Sequence, residues 1–283
     1  MLKIATLTTV YNRENASLSS LDSLFKQVLD SDIKIDHYIV DDKSTDNTVK
    51  KISEIFPTVK VFNGNGSLYW AGGMRFGYQL IEIKEYDFLF VYNDDCLFDS
   101  KMLKNLIDTA LFARKYYSTE SIVVGALISK FSGEVTYGGR LKKSNLSPLS
   151  TKLAPLSSNP SEVYTLNMNA ALLPSSVLLK HGFLANYFRH GGADWEFGIR
   201  LNKLGCKIIQ APGAIGYCEK NKLEGTSAEL KIDCLERFKR VFSIKEIPLY
   251  ERFIFSFEHG GFFWPFVFFI PYVIVFLRCF KCK

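Results

Sequence analysis

Residues Asp87–Asp95 read DFLFVYNDD, in which five apolar or aromatic residues are followed directly by one amide and two carboxylates. The run hardly alternates between apolar and polar positions, which predicts a strand buried on both faces. Strands of this kind occur in sheets that carry helices on both sides. The stretch therefore predicts an α/β fold, with Asn93, Asp94 and Asp95 at the carboxyl end of a central strand.

The sequence around this strand alternates short apolar stretches with helical periodicity. The predicted strands are Lys3–Val10, His37–Val40, Val59–Phe62 and Asp87–Tyr92. Helices are predicted at Asp46–Phe56 and Gly72–Ile83, and a further helix, with Ser17 as its cap, is predicted after the first strand. This β-α-β-α series predicts a mostly parallel central sheet with helices on both faces and right-handed crossovers.

The second half of the chain is less regular. It contains predicted strands at Ser121–Leu127, Glu134–Tyr137, Val163–Leu173 and Lys207–Gln210, and a predicted helix at Asp194–Leu204 with Gly205 at its C-terminal cap. Residues 142–161 are rich in Ser and Pro, which is typical of an exposed loop.

Composition narrows the class of protein. Of the 283 residues 47% are apolar and 23% are charged, which excludes a disordered chain, a collagen and a coiled coil. The net charge of +6 suits an anionic substrate or a membrane surface and is too small to predict a nucleic-acid partner. The six Cys residues are widely spaced and the N-terminus does not read as a signal peptide, so we expect reduced thiols and a cytoplasmic location.

The C-terminal stretch Phe262–Leu277 contains 16 residues without a charge. As a helix it would measure about 24 Å, which is less than the roughly 30 Å of a hydrocarbon core, and Pro265 and Pro271 interrupt it. Cationic residues follow at once. We therefore expect a segment that lies in the membrane interface, peripheral on the cytoplasmic face, with a core helix or a homodimer contact as the alternative. Cys279 and Cys282 are interpreted as membrane-proximal thiols rather than as metal ligands.

Acidic residues end two of the predicted strands, Asp41 and Asp42 on one and Asp94 and Asp95 on the other. In open α/β sheets the crevice beyond the carboxyl ends of the strands is where ligands bind. Several carboxylates in one crevice repel one another, so a divalent cation, Mn²⁺ or Mg²⁺, would be needed to offset them while bridging to phosphate oxygens. This predicts a nucleotide-diphosphate ligand, although Asp42 and Asp46 are also suited to capping the next helix or turn.

Four motifs in succession resemble the family 2 glycosyltransferases, and most closely their bacterial rhamnosyltransferase-like branch. They are TTVYNR (Thr8–Arg13), VDDKSTDNT (Val40–Thr48), GNGSLYWAGGMRFGY (Gly64–Tyr78) and YNDD (Tyr92–Asp95). The resemblance implies a GT-A fold over residues 1–220, with a nucleotide-binding half at about 1–98 and an acceptor-binding half at about 99–220. Residues 221–283 would form a helical, membrane-associating extension.

The same resemblance implies roles for individual residues. Donor-binding positions would be Thr8, Tyr11, Asn12, Asp41, Gly72, Gly73, Arg75, Asn93 and Asp94, and Asp95 would bind the metal ion. Asn93 stands where the family has the first Asp of its D-x-D element.

The segment Gly191–Gly205 resembles the family's E-D-x-D motif, in which the residue matched by Asp194 is the general base. Trp195 and Glu196 would contact the acceptor. From the residues alone, Asp194 is equally suited to capping a helix. Two positions depart from the family pattern, because Ala193 replaces a Glu and residues 213–221 contain no metal-binding His; Glu219 or water is the expected substitute.

The resemblance implies an inverting, metal-dependent glycosyltransferase of the hexosyltransferase type. The donor would be a UDP-, dTDP- or GDP-sugar, rhamnose among the candidate sugars, and the acceptor a growing surface polysaccharide or a lipid-linked oligosaccharide. Two alternatives remain open: a sugar nucleotidyltransferase, which would need a glycine-rich loop that TVYNRENAS lacks, and a catalytically silent scaffold protein of an assembly complex.

Overall fold

The computed structural model describes residues 1–117, 119–144 and 148–281. The strands are β1 (Leu2–Val10), β2 (Ile33–Asp41), β3 (Lys60–Asn63), β4 (Phe88–Tyr92), β5 (Leu97–Phe98), β6 (Ser121–Ile128), β7 (Val135–Tyr137), β8 (Gly139–Lys142), β9 (Thr151–Leu153), β10 (Ser161–Glu162), β11 (Thr165–Leu166), β12 (Ala170–Pro174) and β13 (Lys207–Tyr217). The helices are α1 (Glu14–Phe25), α2 (Thr48–Ile55), α3 (Tyr69–Leu80), α4 (Met102–Tyr117), α5 (Ser175–His181), α6 (Ala193–Lys203), α7 (Cys234–Val241), α8 (Leu249–His259) and α9 (Trp264–Lys281).

The central sheet has the strand order β10-β13-β6-β12-β4-β1-β2-β3. The run from β4 to β3 is parallel, as the alternation of strands and helices predicts. Strand β12 lies antiparallel between β4 and β6, so the whole sheet is mixed. A smaller sheet, β11-β8-β9, lies beside it.

Strand β4 is buried throughout, as its sequence predicts. Leu89 and Val91 belong to the apolar cluster on one face of the sheet, which also contains residues of α3 and α6. Phe88, Phe90 and Tyr92 belong to the cluster on the other face, which contains much of α4. Both faces of the sheet are therefore covered, and the carboxyl end of β4 is held in the middle of the molecule.

Three sequence-based expectations are wrong in detail. Ser17 does not cap α1, because the helix begins at Glu14 and Ser17 is buried inside it. The predicted strand Val163–Leu173 is divided into β11 and β12. The predicted loop 142–161 contains β9 and buries Leu149 and Ala154, while residues 145–147 lie outside the described part of the chain.

Helix α9 is continuous through the two prolines that were expected to interrupt it. Pro265 occupies the first turn, where a missing N–H costs nothing. Pro271 lies inside the helix and leaves the carbonyl of Val267, four residues earlier, without its usual donor. The guanidinium of Arg252 on α8 donates to that carbonyl instead. The side chain from α8 thus repairs the hydrogen bond that the proline removes.

One face of α9 is apolar and exposed. The exposed residues include Phe266, Phe269, Val273 and Phe280. Within the described residues, the segment Gly261–Phe280 is one helix whose length and composition would suffice to cross a membrane, and most of it is not covered by the rest of the chain.

A disulfide joins Cys234 on α7 to Cys279 on α9. The expectation of reduced thiols is therefore wrong for this pair, and Cys279 is not part of a free C-x-x-C pair. Cys282 lies outside the described residues. Cys96, Cys206 and Cys218 are free thiols.

His37 provides a test of the core. It is buried on β2, stacks on Phe25 and lies 3.0 Å from the Thr6 hydroxyl, and burial lowers its pKa to about 4. Because the unfolded chain takes up this proton near pH 6.5, the contribution of neutral His37 is complete above that pH and is lost as pH falls toward 4. Urea denaturation at pH 7 and pH 4 gives the loss of unfolding free energy between the two pH values. We expect this loss to be about 3 kcal/mol smaller in His37→Gln than in the wild type. Equal pH dependence in the variant and the wild type would contradict this assignment.

Candidate active site

The loops that follow β1 and β2 are tied together by Asn12. Its side-chain oxygen accepts a hydrogen bond from the Thr45 N–H at 2.7 Å, and its own N–H donates to the Ser44 hydroxyl at 2.9 Å. Asn12 adopts a positive φ of 50°, a conformation that Asn tolerates better than most residues. The side chain predicted to line the nucleotide pocket therefore also fixes the two loops that form this edge of the sheet.

Asp41 and Asp42 are both buried and both accept backbone hydrogen bonds. Asp41 accepts from the Ser44 N–H at 3.0 Å. Asp42 accepts from the N–H groups of Gly66, Leu68 and Tyr69, at 2.8, 3.0 and 3.0 Å. Asp42 therefore does not cap α2, the next helix in the chain, and instead shapes the loop that leads into α3.

Asp94 and Asp95 share one cation. The Arg13 guanidinium lies 3.1 Å from a carboxylate oxygen of Asp94 and 2.8 Å from one of Asp95. The hydroxyl of Ser17 also donates to Asp94, at 3.3 Å. Burial raises the pKa of Asp94 to about 6 even though Arg13 opposes the shift. Asp94 is thus enclosed, whereas the Asp95 side chain keeps 29% of its surface exposed and can reach a ligand.

The possible metal ligands around Asp95 are sulfur atoms. The Asp95 carboxylate and the thiols of Cys96 and Cys218 offer ligand atoms within 4.8 Å of one another. Glu219, the expected substitute for the absent His, is turned away. Its carboxylate accepts from the Ser129 hydroxyl and the Lys130 N–H, both at 2.7 Å.

The first turn of α3 is held by groups from other elements. The Trp70 indole N–H donates to the side-chain oxygen of Asn93 at 3.0 Å, which places α3 beside the end of β4. The N–H groups of Ala71 and Gly72 point to the carbonyl oxygen of Arg189, at 3.1 and 3.4 Å. These are amides that a helix cannot satisfy internally.

Two further residues on α3 were predicted to bind the donor. A Cβ at Gly73 would lie 2.6 Å from the Thr9 side chain on β1, so this glycine allows close packing of α3 against the sheet. The Arg75 guanidinium donates to the Ala185 carbonyl at 2.8 Å. The structure therefore gives Arg75 a bracing contact within the protein rather than a free position for phosphate.

Asp194 lies at the start of α6 with both carboxylate oxygens engaged. One accepts from the Trp195 N–H at 2.9 Å and the other from the Asn167 side-chain amide at 3.2 Å. Burial raises the pKa of Asp194, and the nearby Arg140 opposes the shift. The Arg140 guanidinium lies over the Trp195 ring, 4.4 Å from its centroid. Trp195 thus has one face occupied by a cation from β8.

Glu196 does not face a cleft. Its side chain is 1% exposed and forms an ion pair with Arg200 at 2.8 Å, and its other close charged neighbour is His259 of α8 at 3.5 Å. The acceptor-binding role predicted for Glu196 is therefore wrong, because its carboxylate is buried between α6 and the C-terminal extension and cannot touch an acceptor.

The segment between β11 and β12 brings the two groups of acids together. The Asn169 carbonyl accepts from the Asn93 N–H at 3.3 Å and from the Cys96 thiol at 3.3 Å. Two residues earlier, Asn167 holds Asp194. Asn93 and Cys96, which flank Asp94 and Asp95, thus contact the same three-residue segment that holds Asp194. Asp41 is linked to this group by two hydrogen bonds: it accepts from the Ser44 N–H, and the Ser44 hydroxyl accepts from the Asn12 N–H. Asn12 directly precedes Arg13.

Of the remaining predicted donor residues, Thr8 is buried in β1, and among the described residues its hydroxyl has no hydrogen-bond partner. Tyr11 is 54% exposed at the rim of the same edge.

Known proteins with similar sequence or structure agree with this geometry. The sequence profile of Glycosyl transferase family 2 matches residues 6–171, which is more than half of the chain. The chain belongs to glycosyl transferase family 2. No curated protein sequence matches it.

Solved structures extend the family assignment to the fold. The crystal structure of S. aureus TarS 1–349 superposes with a TM-score of 0.54 at 15% identity, covering 90% of this chain and 70% of TarS. The structure of TarS 1–349 in complex with UDP-GlcNAc gives 0.55 at 18% identity, covering 90% and 71%. The GT-A fold expected from the motifs is confirmed, and the family assignment makes this chain a glycosyltransferase.

Sequence reasoning missed several residues of the site. They are Arg13, Ser17, Arg140, Asn167, Arg189 and Cys218. Only Arg13 carried a signal, since it ends the TTVYNR motif directly after the predicted Asn12. The others lie outside the quoted motifs or were assigned another role.

The adjacent glycines of α3 give a matched pair of variants. Gly73→Ala would place a Cβ 2.6 Å from Thr9, whereas at Gly72 the nearest atom is 3.6 Å away, an ordinary contact. We expect Gly73→Ala to lower the unfolding free energy by about 1–3 kcal/mol through overpacking. Gly72→Ala should leave stability unchanged or raise it slightly, since Ala favours helix. Urea denaturation of both variants provides the comparison, and equal stability would show that the contact between α3 and β1 is not tight.

Proposed function

We propose that this chain is an inverting, hexosyltransferase-type enzyme that transfers a sugar from a nucleotide-diphosphate donor to an acceptor hydroxyl. The observation that supports this most directly is that residues 167–169, at the carboxyl end of the central strands, bond both to Asp194 and to Asn93 and Cys96, the residues that flank Asp94 and Asp95. Ligands of open α/β sheets bind at this edge.

The nucleotide would bind in the half formed by residues 1–98, against the loops after β1 and β2. Thr8, Tyr11, Asn12 and Asp41 are the residues we assign to this part of the site, and Gly72, Gly73, Asn93 and Asp94 to the region nearer the diphosphate.

The residues around Asp95 fit a divalent cation of the kind that GT-A enzymes often use. Magnesium and manganese are commonly held by one or two carboxylates, with substrate phosphates and water completing the shell. The partly exposed carboxylate of Asp95 suits that mode, with Mn²⁺ and Mg²⁺ as the candidate ions. Such an ion would neutralise negative charge on the departing diphosphate.

Asp194 is the proposed general base. It would accept the proton of the acceptor hydroxyl as that oxygen attacks the anomeric carbon, and a single displacement inverts the configuration there. The Asn167 amide and the Trp195 N–H keep the carboxylate in one orientation. Because burial raises its pKa, Asp194 is a stronger base than an exposed aspartate.

The donor and acceptor are proposed by class. The TarS complex with UDP-GlcNAc supports a nucleotide-sugar donor, with UDP, dTDP and GDP as the nucleotides to screen and rhamnose as a candidate sugar. The acceptor half, residues 99–220, would receive a growing surface polysaccharide or a lipid-linked oligosaccharide. Trp195 is positioned beside the base to contact it.

We further propose that residues 221–283 attach the enzyme to the cytoplasmic face of the membrane. The exposed apolar face of α9 supports this, since aromatic side chains of this size favour the membrane interface. A homodimer that covers the same face is the alternative.

The base assignment predicts a separation of binding from transfer. Asp194→Asn is nearly isosteric, so we expect it to bind donor normally and to lose sugar transfer by at least about 100-fold. Wild-type transfer should fall as pH drops through the raised pKa of Asp194, at a higher pH than for an ordinary aspartate. Asp95→Ala should instead lose Mn²⁺-dependent donor binding.

Calorimetry with each nucleotide and a product assay measure these outcomes. Near wild-type transfer by Asp194→Asn would refute the base assignment. Absence of turnover by the wild type with every donor tested would favour the silent scaffold.

The membrane proposal predicts that charge on the exposed face of α9 blocks lipid binding. We expect the triple variant Phe266→Glu, Phe269→Glu and Val273→Glu to lose sedimentation with anionic vesicles while its nucleotide binding is unchanged. Phe131→Glu, at a residue that is 90% exposed on the catalytic part, is the matched control and should sediment like the wild type. A halved molecular mass in the triple variant, with no effect on vesicle binding, would favour the homodimer.

A further inference from the structure

The inner face of α8 contacts three consecutive residues of the loop before α6. The Tyr187 hydroxyl donates to Glu258 at 3.0 Å, the Phe188 ring lies edge-on 5.7 Å from Phe255, and the Arg189 guanidinium pairs with Glu251 at 2.9 Å. Residues 251, 255 and 258 follow the spacing of one helical face. The inner face of α8 therefore contacts this loop at three successive positions along the helix.

The same loop holds the first turn of α3. The Arg189 carbonyl receives the N–H groups of Ala71 and Gly72, and the Ala185 carbonyl receives the Arg75 guanidinium. The loop thus lies between α8 and α3 and bonds to both. At its other end it continues into α6, where Gly192 precedes Ala193 and Asp194.

Glu251 is the central residue of these contacts. Its side chain is only 2% exposed, and Arg189 is the one ion-pair partner recorded for it within the described residues. The second carboxylate oxygen is buried without a hydrogen bond among those residues, and Arg75 lies close enough to interact with it electrostatically. A buried carboxylate of this kind lowers stability unless cations pair with it. The ion pair with Glu251 therefore holds the Arg189 side chain against α8.

We propose that Glu251 is a positioning residue for the donor site, acting through Arg189 on the first turn of α3. This inference rests on the proposed function, since it takes Gly72 and Gly73 to lie near the donor diphosphate. It makes the C-terminal extension a structural part of the nucleotide site as well as the proposed membrane attachment.

The test uses the full-length chain and the variant Glu251→Gln, which keeps the shape and removes the charge. Hydrogen exchange is measured without ligand. We expect the amides of Ala71 and Gly72 to exchange at least about tenfold faster than in the wild type, because their acceptor is no longer fixed. Glu236→Gln, which breaks another Glu–Arg pair of the extension, is the control and should leave these amides unchanged.

Binding of UDP, dTDP and GDP with Mn²⁺ is measured on the same proteins by calorimetry. We expect Glu251→Gln to weaken the nucleotide that binds the wild type by about tenfold, with turnover at saturating donor nearly unchanged. The double variant Arg189→Met with Glu251→Gln should bind no more weakly than Arg189→Met alone, because Glu251 acts through Arg189.

Unchanged exchange at Ala71 and Gly72 in Glu251→Gln would overturn the proposal, and so would faster exchange without any loss of affinity. Failure of the wild type to bind all three nucleotides would instead count against the proposed function. In that case the exchange measurement still decides whether α8 positions α3.

Discussion

Asp94 and Asp95 lie one residue beyond the end of a strand that is buried along its whole length, so their charge has to be offset by groups from elsewhere in the chain. Arg13 supplies the cation and Ser17 a hydroxyl. Meeting this requirement fixes the position of the loop after β1 and of helix α1 relative to the end of β4. These elements meet at the two carboxylates, and the partly exposed Asp95 remains available to a ligand.

Much of the nucleotide-binding half could be predicted from the sequence because its signals are local. The apolar run at 88–92 and the regular alternation of strands and helices are properties of adjacent residues. The contacts that complete the site are long-range: Arg13 and Asp95 are 82 positions apart, and Cys218 and Asp95 are 123 apart. No spacing rule reports such pairs, and for that reason Glu219 was one of the expected substitutes for the missing His, whereas the structure brings the thiol of Cys218 to Asp95.

The acceptor half was harder to predict for a different reason. Strand β12 is antiparallel between β4 and β6, and short strands such as β11 carry too few residues to show a period. Glu196 illustrates the same limit. It lies four residues before Arg200, the spacing of a helical ion pair, and the two side chains do pair, but no local pattern shows that α8 covers the pair and buries it.

Pro271 gives α9 a dependence on its neighbour that an uninterrupted helix would not have. The Val267 carbonyl is satisfied only by Arg252 among the described residues, so moving α9 away from α8 would leave a bare backbone oxygen. In a hydrocarbon environment an unsatisfied group of this kind costs several kcal/mol. The proposed membrane attachment therefore requires α8 and α9 to move onto and off the lipid surface together, as one hairpin.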